Sequence, residues 1–189
     1  MIFLDLDNFR QSLYMRDKLR SYYFDRFQDF VIDHLNDSFH FKNCSQESLI
    51  RTYAYTGEYT SDLVRKIKDL KLLEDIRRRM KAQEDFFDIV KRFNFFELKT
   101  LPLKYENSKI FQKGIDVMMA VDLVYHAFNN NYDVVILCSG DIDLKEAVKL
   151  VKSLGKKVVV ISHSRLSSGE LIKESDLFIN TAKFTSEEL

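Results

Sequence analysis

Between Tyr132 and Leu144 the chain reads YDVVILCSGDIDL. Val134, Val135, Ile136 and Leu137 form an unbroken apolar run, rich in β-branched residues and without alternation, the pattern of a strand covered on both faces. No other stretch constrains the fold as much, because a doubly covered strand belongs in a parallel sheet, and parallel neighbours need crossover connections, usually helices. Ser139-Gly140 ends the strand, and Asp141-Ile142-Asp143-Leu144 leads into Lys145–Leu154, where Leu144, Ala147, Val148, Val151 and Leu154 repeat at helical spacing. Two carboxylates therefore stand at the carboxyl edge of a buried strand, the edge at which open α/β sheets bind ligands.

Met1–Leu4 is a second apolar run that ends on acids, Asp5-Leu6-Asp7-Asn8. From Phe9 to about Phe41 the spacing of Leu13, Leu19, Tyr23, Phe27, Phe30, Val31 and Leu35 predicts helix, with a bend near Ser21. Leu49–Tyr55 reads as the next strand, closed by Thr56-Gly57, and Ser61–Phe93 as a long charged helix with Ser61 as its cap. Asn94–Leu103 follows as a strand that Pro102 ends, then Lys104–Gln112 as a polar connection. Val117–Phe128 is expected to be a helix packing through Val117, Met118, Val121, Val124, Tyr125 and Phe128. Lys157–Ser162, a short helix at Glu170–Glu174 and a last strand at Asp176–Ile179 complete an alternation of strand and helix. The expectation is a single domain over residues 1–189, a three-layer α/β/α sandwich with a mostly parallel sheet.

Twenty-nine basic residues balance twenty-nine acidic ones, so no global field marks the chain for nucleic acid and any such contact needs a local patch. Cys44 and Cys138 are too few for a disulfide framework and read as reduced packing residues. No apolar run approaches the ~20 residues of a membrane span and the chain opens on a strand, so a soluble cytoplasmic protein is expected. The basic residues of the long helix, the Arg77–Lys81 cluster among them, alternate with acids and read chiefly as a solvated surface. The phenylalanines of Phe86–Phe96 suit either a monomer's core or a homodimer interface.

Asp5, Asp116, Asp141 and Asp143 come from three separate segments, and strand and helix alternation brings them toward one edge. Gathered carboxylates repel one another and take up protons unless a cation lies among them, so their convergence implies a metal. Oxygen-only donors favour Mg²⁺ or Mn²⁺, and His34, His40, His126 and His163 show no zinc-ligand spacing. Such an ion activates water and stabilises attack on phosphorus. An Asp after a strand also commonly caps a helix, which is the competing reading for Asp141 and Asp116. Asp7 and Asp122 read as supporting or surface groups.

Four stretches, Phe3–Asn8 (FLDLDN), Lys113–Asp122 (KGIDVMMAVD), Ser139–Leu144 (SGDIDL) and Gly155–Val158 (GKKV), resemble the motifs of the NYN domain in the LabA-like branch of the PIN-like nucleases. The resemblance spans nearly the whole chain and implies a PIN-like Rossmannoid fold with metal-dependent RNA cleavage. It implies Asp5, Asp116, Asp141 and Asp143 as acidic ligands, Asn8 as the residue that orients Asp5, and Lys113 as a phosphate contact; Asp122 matches a recurrent Asp of open role. The sequence departs from the family's S-G-D-S-D-F at Leu144-Lys145-Glu146, and its charged helix before the third strand is longer than the family's.

The reading that results is an Mg²⁺- or Mn²⁺-dependent ribonuclease, an endoribonuclease, with RNA as partner. Two alternatives stand beside it. One is an inactive RNA- or protein-binding NYN module. The other is a haloacid-dehalogenase-type phosphatase, suggested by D-L-D after the first strand, although Phe9 replaces that family's Thr or Val and Lys145 stands where its later acid belongs.

Overall fold

The computed structural model describes residues 1–17, 27–29, 31–33, 35 and 49–183. Six strands, β1 (Ile2–Asp5), β2 (Thr52–Glu58), β3 (Phe96–Pro102), β6 (Val134–Cys138), β7 (Lys157–Ser162) and β8 (Leu177–Asn180), form one sheet in the order β3-β2-β1-β6-β7-β8. Every pairing in it is parallel. Chain order reverses between β1 and β6, and such a reversal opens a crevice at the carboxyl ends of the two strands.

Both faces of the sheet are covered, which is why its central strands lack alternation. Ile2, Leu4, Ile136 and Cys138 point into one core with Phe9, Phe27, Val31 and Leu35. Phe3, Val135 and Leu137 point into the other with Ile115, Met119 and Leu123. Helices accompany the strands; among the described residues these include α1 (Leu6–Asp17), α2 (Ser61–Lys66), α3 (Leu70–Val90), α4 (Ile115–Phe128), α5 (Lys145–Ser153) and α6 (Gly169–Glu174). Helical backbone also covers residues 27–29, 31–33 and 35. Leu19, Ser21, Tyr23, Phe30, Phe41 and Cys44, on which the N-terminal reading partly rested, lie outside the described residues. None of the described helices is long and apolar enough to cross a membrane.

Several boundaries move for identifiable reasons. The long charged helix is two helices: Thr60 Oγ1 accepts from Leu63 N at 3.3 Å, so Thr60 rather than Ser61 caps α2, and Asp69 Oδ1 caps α3 through Leu72 N at 2.9 Å. The connection before α4 contains an antiparallel hairpin, β4 (Lys104–Glu106) with β5 (Lys109–Phe111). Its turn residues Asn107 and Ser108 both have positive φ, the backbone that tight hairpins require. β2 begins three residues later than expected and runs through Gly57.

The packing face assigned to α4 is corrected in part, since Met118 and Val124 do pack against the second core. Ile115, Met119, Leu123 and Ala127 are buried, whereas Val117, Val121, Tyr125 and Phe128 are 59–76% exposed. Apolar residues occur all round this helix, so its sequence carries no phase to read. In the aromatic run before β3, Phe87 is buried and Phe86, Phe93 and Phe96 pack against the first core, whereas Phe95 is 60% exposed.

Candidate active site

Asp5 is the last residue of β1, and Leu6 opens α1 with no loop between them. The Asp5 carboxylate thereby caps the helix: Oδ1 accepts from the backbone N–H of Asp7 at 3.1 Å and of Asn8 at 3.0 Å. Oδ2 faces the Ser139 hydroxyl at 3.5 Å. Asp5 is only 3% exposed, and burial pushes its carboxyl up to about 7, with the charges of Asp116 and Asp7 adding to the rise and the Asn8 N–H opposing it.

The other wall of the crevice is the loop after β6. Leu4 pairs with Cys138, so Ser139 continues the strand beside Asp5. The fully buried Ser139 hydroxyl also accepts from Asp141 N at 3.3 Å. Asn8 Oδ1 accepts from Gly140 N at 3.1 Å. Asn8 therefore holds Asp5 through its main-chain N–H, while its side chain ties α1 to the S-G-D loop. The capping reading holds for Asp141, whose Oδ1 accepts from Asp143 N at 3.0 Å at the start of a short 3-10 turn; capping uses one carboxylate oxygen. Asp143 is exposed.

Asp116 lies in the first turn of α4, where the helix dipole favours a negative group, but it is not the cap; that position is Gly114, at φ 88°. Its carboxyl is pushed up by burial first, then by the charges of Asp141 and Asp143. Asp5 feels Asp116, and Asp116 feels Asp141 and Asp143, so three segments meet in one field. Lys113 is exposed beside Gly114 and makes no ion pair among the described residues.

Asp122 stands apart, one helical turn and more beyond Asp116. Its Oδ2 accepts from Tyr55 Oη at 2.9 Å and from Lys99 Nζ at 2.7 Å, and Lys99 lies 4.4 Å from the Tyr53 ring centroid. That closed cluster fastens α4 to β2 and β3. Asp7 receives the Thr56 hydroxyl at 3.4 Å across the first turn of α1. In the Arg77–Lys81 cluster, Arg78 and Arg79 share Asp75, and Lys81 pairs with Asp85, as expected of a solvated surface. Ser139, Thr56 and Arg10, which the sequence reading did not single out, line this edge; Ser139 alone had a signal, its place in the S-G-D element.

Among the described residues no three His, Cys, Asp or Glu side chains are disposed as a ready-made metal shell. The chemistry of the donors nevertheless fits a hard divalent cation. All are carboxylates, and the two most perturbed are held above the ordinary range by burial and by neighbouring negative charge, both of which a cation would offset.

A Rossmann-ordered parallel sheet with acids lining its switch point defines a PIN-like α/β/α fold of the nuclease type. The NYN domain model matches residues 1–182, and the chain belongs to that family. Members of this group are nucleic-acid-related, and PIN-like nucleases of this kind generally use divalent metals. Among solved structures the chain is similar to a protein of unknown function from Vibrio parahaemolyticus, with a TM-score of 0.61 and 24% identity over 95% of this chain and 90% of that one. That likeness is one of fold. Nothing among curated proteins matches the sequence.

Proposed function

We propose that this protein is a divalent-metal-dependent ribonuclease that hydrolyses RNA phosphodiester bonds, with Asp5, Asp116, Asp141 and Asp143 as the acids that hold Mg²⁺ or Mn²⁺. The observation that carries the reading is the meeting of Asp5 with the S-G-D loop at the β1/β6 switch point, where Asp5 Oδ2 faces the Ser139 hydroxyl at 3.5 Å and Asn8 Oδ1 accepts from Gly140 N at 3.1 Å. The bound ion would neutralise these acids, polarise the phosphodiester and lower the pKa of water. The chain's own contribution is positioning: α1 and Ser139 fix Asp5, Asn8 clamps the S-G-D loop against α1, and Lys113, exposed just before α4, would meet a phosphate.

The test is cleavage of a mixed-sequence single-stranded RNA in Mn²⁺, with and without EDTA, by wild type and Asp141→Asn. Activity should fall about 100-fold or more in the variant and vanish in EDTA, as expected when a ligand that aligns the ion is lost. Cleavage that survives EDTA sinks the metal mechanism, and turnover of p-nitrophenyl phosphate without RNA cleavage points to the phosphatase. A second reading, a binding module without turnover, is favoured by one observation, the absence of a ready-made shell among the described acids. RNA binding without cleavage by either protein would establish it.

Self-association through α4 accompanies this proposal. The most exposed positions of the helix, Val117, Val121, Tyr125 and Phe128, are apolar, and Leu150 and Leu154 are exposed on neighbouring α5. A face without charge offers nothing to a phosphate backbone, whereas a second copy would cover it with an identical apolar stripe. The six side chains present roughly 600 Å² per copy, enough for a two-fold interface just above the ~1,000 Å² a specific contact needs. Val121→Lys should therefore sediment as a single 22.4 kDa chain where wild type sediments as a pair; equal masses would refute the pairing.

A further inference from the structure

A cavity of about 460 Å³ opens beside the acids, between the first turns of α1, the end of β2 and the middle of α3. Asp7 and Thr56 form its inner edge, next to Asp5 and to Tyr55, the residue paired with Asp5 across the sheet. Arg10 and Arg79 stand on two of its walls, with the Phe86 ring between α1 and α3. The volume lies in the range of sites that hold a nucleoside-sized ligand.

The charges in it are not all spent. Asp75 is shared by Arg78 and Arg79, so one positive charge of that trio remains, and Arg79 Nε is the group that reaches back to Asp75, at 2.7 Å. Arg10 has no carboxylate partner among the described residues; its guanidinium lies over the Phe86 ring at 4.8 Å from the centroid. A guanidinium over a ring keeps N–H groups for a phosphate and, beside the ring, a surface for a base. Gln83 braces the wall, accepting from Tyr59 N at 2.8 Å and donating to Gly57 O at 2.8 Å, so the cavity is held open by hydrogen bonds and not by chance.

From this juxtaposition of Arg10, Arg79 and Phe86 beside Asp7 we propose that the cavity seats the nucleotide next to the scissile phosphate of a single-stranded RNA. Its phosphate lies on Arg10 and Arg79, and its base stacks against the Arg10–Phe86 pair. The inference rests on the ribonuclease reading for the word scissile, and α3 supplies one wall through Arg79, Ala82, Gln83, Phe86 and Phe87.

The experiment uses Asp141→Asn protein in Mg²⁺, so that binding of a labelled single-stranded 12-mer RNA is read without cleavage. Arg10→Gln with Arg79→Gln should weaken binding about tenfold and lower the salt slope by about one. Lys68→Gln with Lys71→Gln makes the same charge change outside the cavity and should leave the affinity within about twofold. Ala82→Trp changes no charge and fills the cavity from its exposed wall; it should weaken binding comparably, and adenosine 5′-monophosphate should compete with the RNA on the unfilled protein only. Unchanged affinity in both the arginine pair and Ala82→Trp overturns the subsite even if Asp141→Asn has abolished cleavage. Loss of affinity in both, in a protein whose wild type never cleaves RNA, keeps the subsite and overturns the nuclease reading instead.

Discussion

Asp5→Asn should make the metal-free protein more stable at pH 8 while abolishing the RNA cleavage proposed for it. Burial holds the Asp5 carboxyl up to about 7, against an ordinary value near 3.8 in the unfolded chain. An acid raised in this way favours the folded state fully when both states are protonated, below about pH 4. That contribution is lost as pH rises from about 4 to about 7, and above about 7 the folded state carries the whole penalty, of the order of 4 kcal/mol. An amide at position 5 keeps the contacts that matter for folding: its oxygen takes the N–H groups of Asp7 and Asn8, and its nitrogen donates to the Ser139 hydroxyl. With each kcal/mol moving Tm by roughly 2–4 °C in a chain of this size, the variant should melt at least ~5 °C higher at pH 8, with the gap closing toward pH 4. Mn²⁺ should raise the Tm of wild type, because an ion that binds only the folded acids stabilises by mass action, and should leave the variant unmoved. A variant that melts below wild type at pH 8 in EDTA, or that responds to Mn²⁺ equally, would show that Asp5 is a structural carboxylate and not an acid held for a cation.

This conflict between stability and charge is also what the sequence showed best. D-x-D after an unbroken apolar strand is visible because a doubly buried strand must be apolar and its carboxyl end must leave the core; Ile2–Asp7 and Val134–Asp143 have that form. The strands β1, β6 and β7 were legible for the same reason, though not their order in the sheet. The phase of α4 was not, since a helix apolar all round presents the same pattern from every side, and only its neighbours select Met119 and Leu123 over Val121 and Tyr125. Nor was the part played by Asn8, because whether an amide bonds to its own turn or to a loop 132 residues away is a matter of tertiary approach. Arg10 looked like an ordinary surface residue of an amphipathic helix, and its meeting with Phe86 depends on where α3 lies. The hairpin β4–β5 escaped for a local reason: Asn107-Ser108 lacks the glycine that usually marks a turn with positive φ.

Gly140→Ala should be the most damaging single-methyl change in the chain. Gly140 needs no left-handed backbone; its constraint is proximity. A Cβ there would stand 2.8 Å from both the Leu166 carbonyl oxygen and the Ser167 Cα, which are backbone atoms and cannot swing aside as a side-chain end can. The segment it would strike is itself held, with Leu166 N donating to His163 O, Ser167 Oγ to the same carbonyl, and Ser168 N to Gly140 O at 3.0 Å. Room for the methyl therefore comes from moving the S-G-D loop toward the crevice, which stretches the Gly140 N–H bond to Asn8 and carries Asp141 with it. Forcing one methyl into such a contact costs about 1–3 kcal/mol, so Tm should drop by roughly 3–10 °C. RNA cleavage should fall by more than that loss of fold explains, about tenfold or more at a temperature where the variant is fully folded, with a higher Mn²⁺ concentration needed for half activity. Gly169→Ala is the matched control, because nothing lies within 4 Å of its added methyl at the start of α6, and it should be neutral or slightly stabilising in both measurements. If Gly140→Ala melts with wild type, the loop is looser than these contacts require; if it melts early yet keeps its metal dependence, Asp141 is not held in place by the glycine before it.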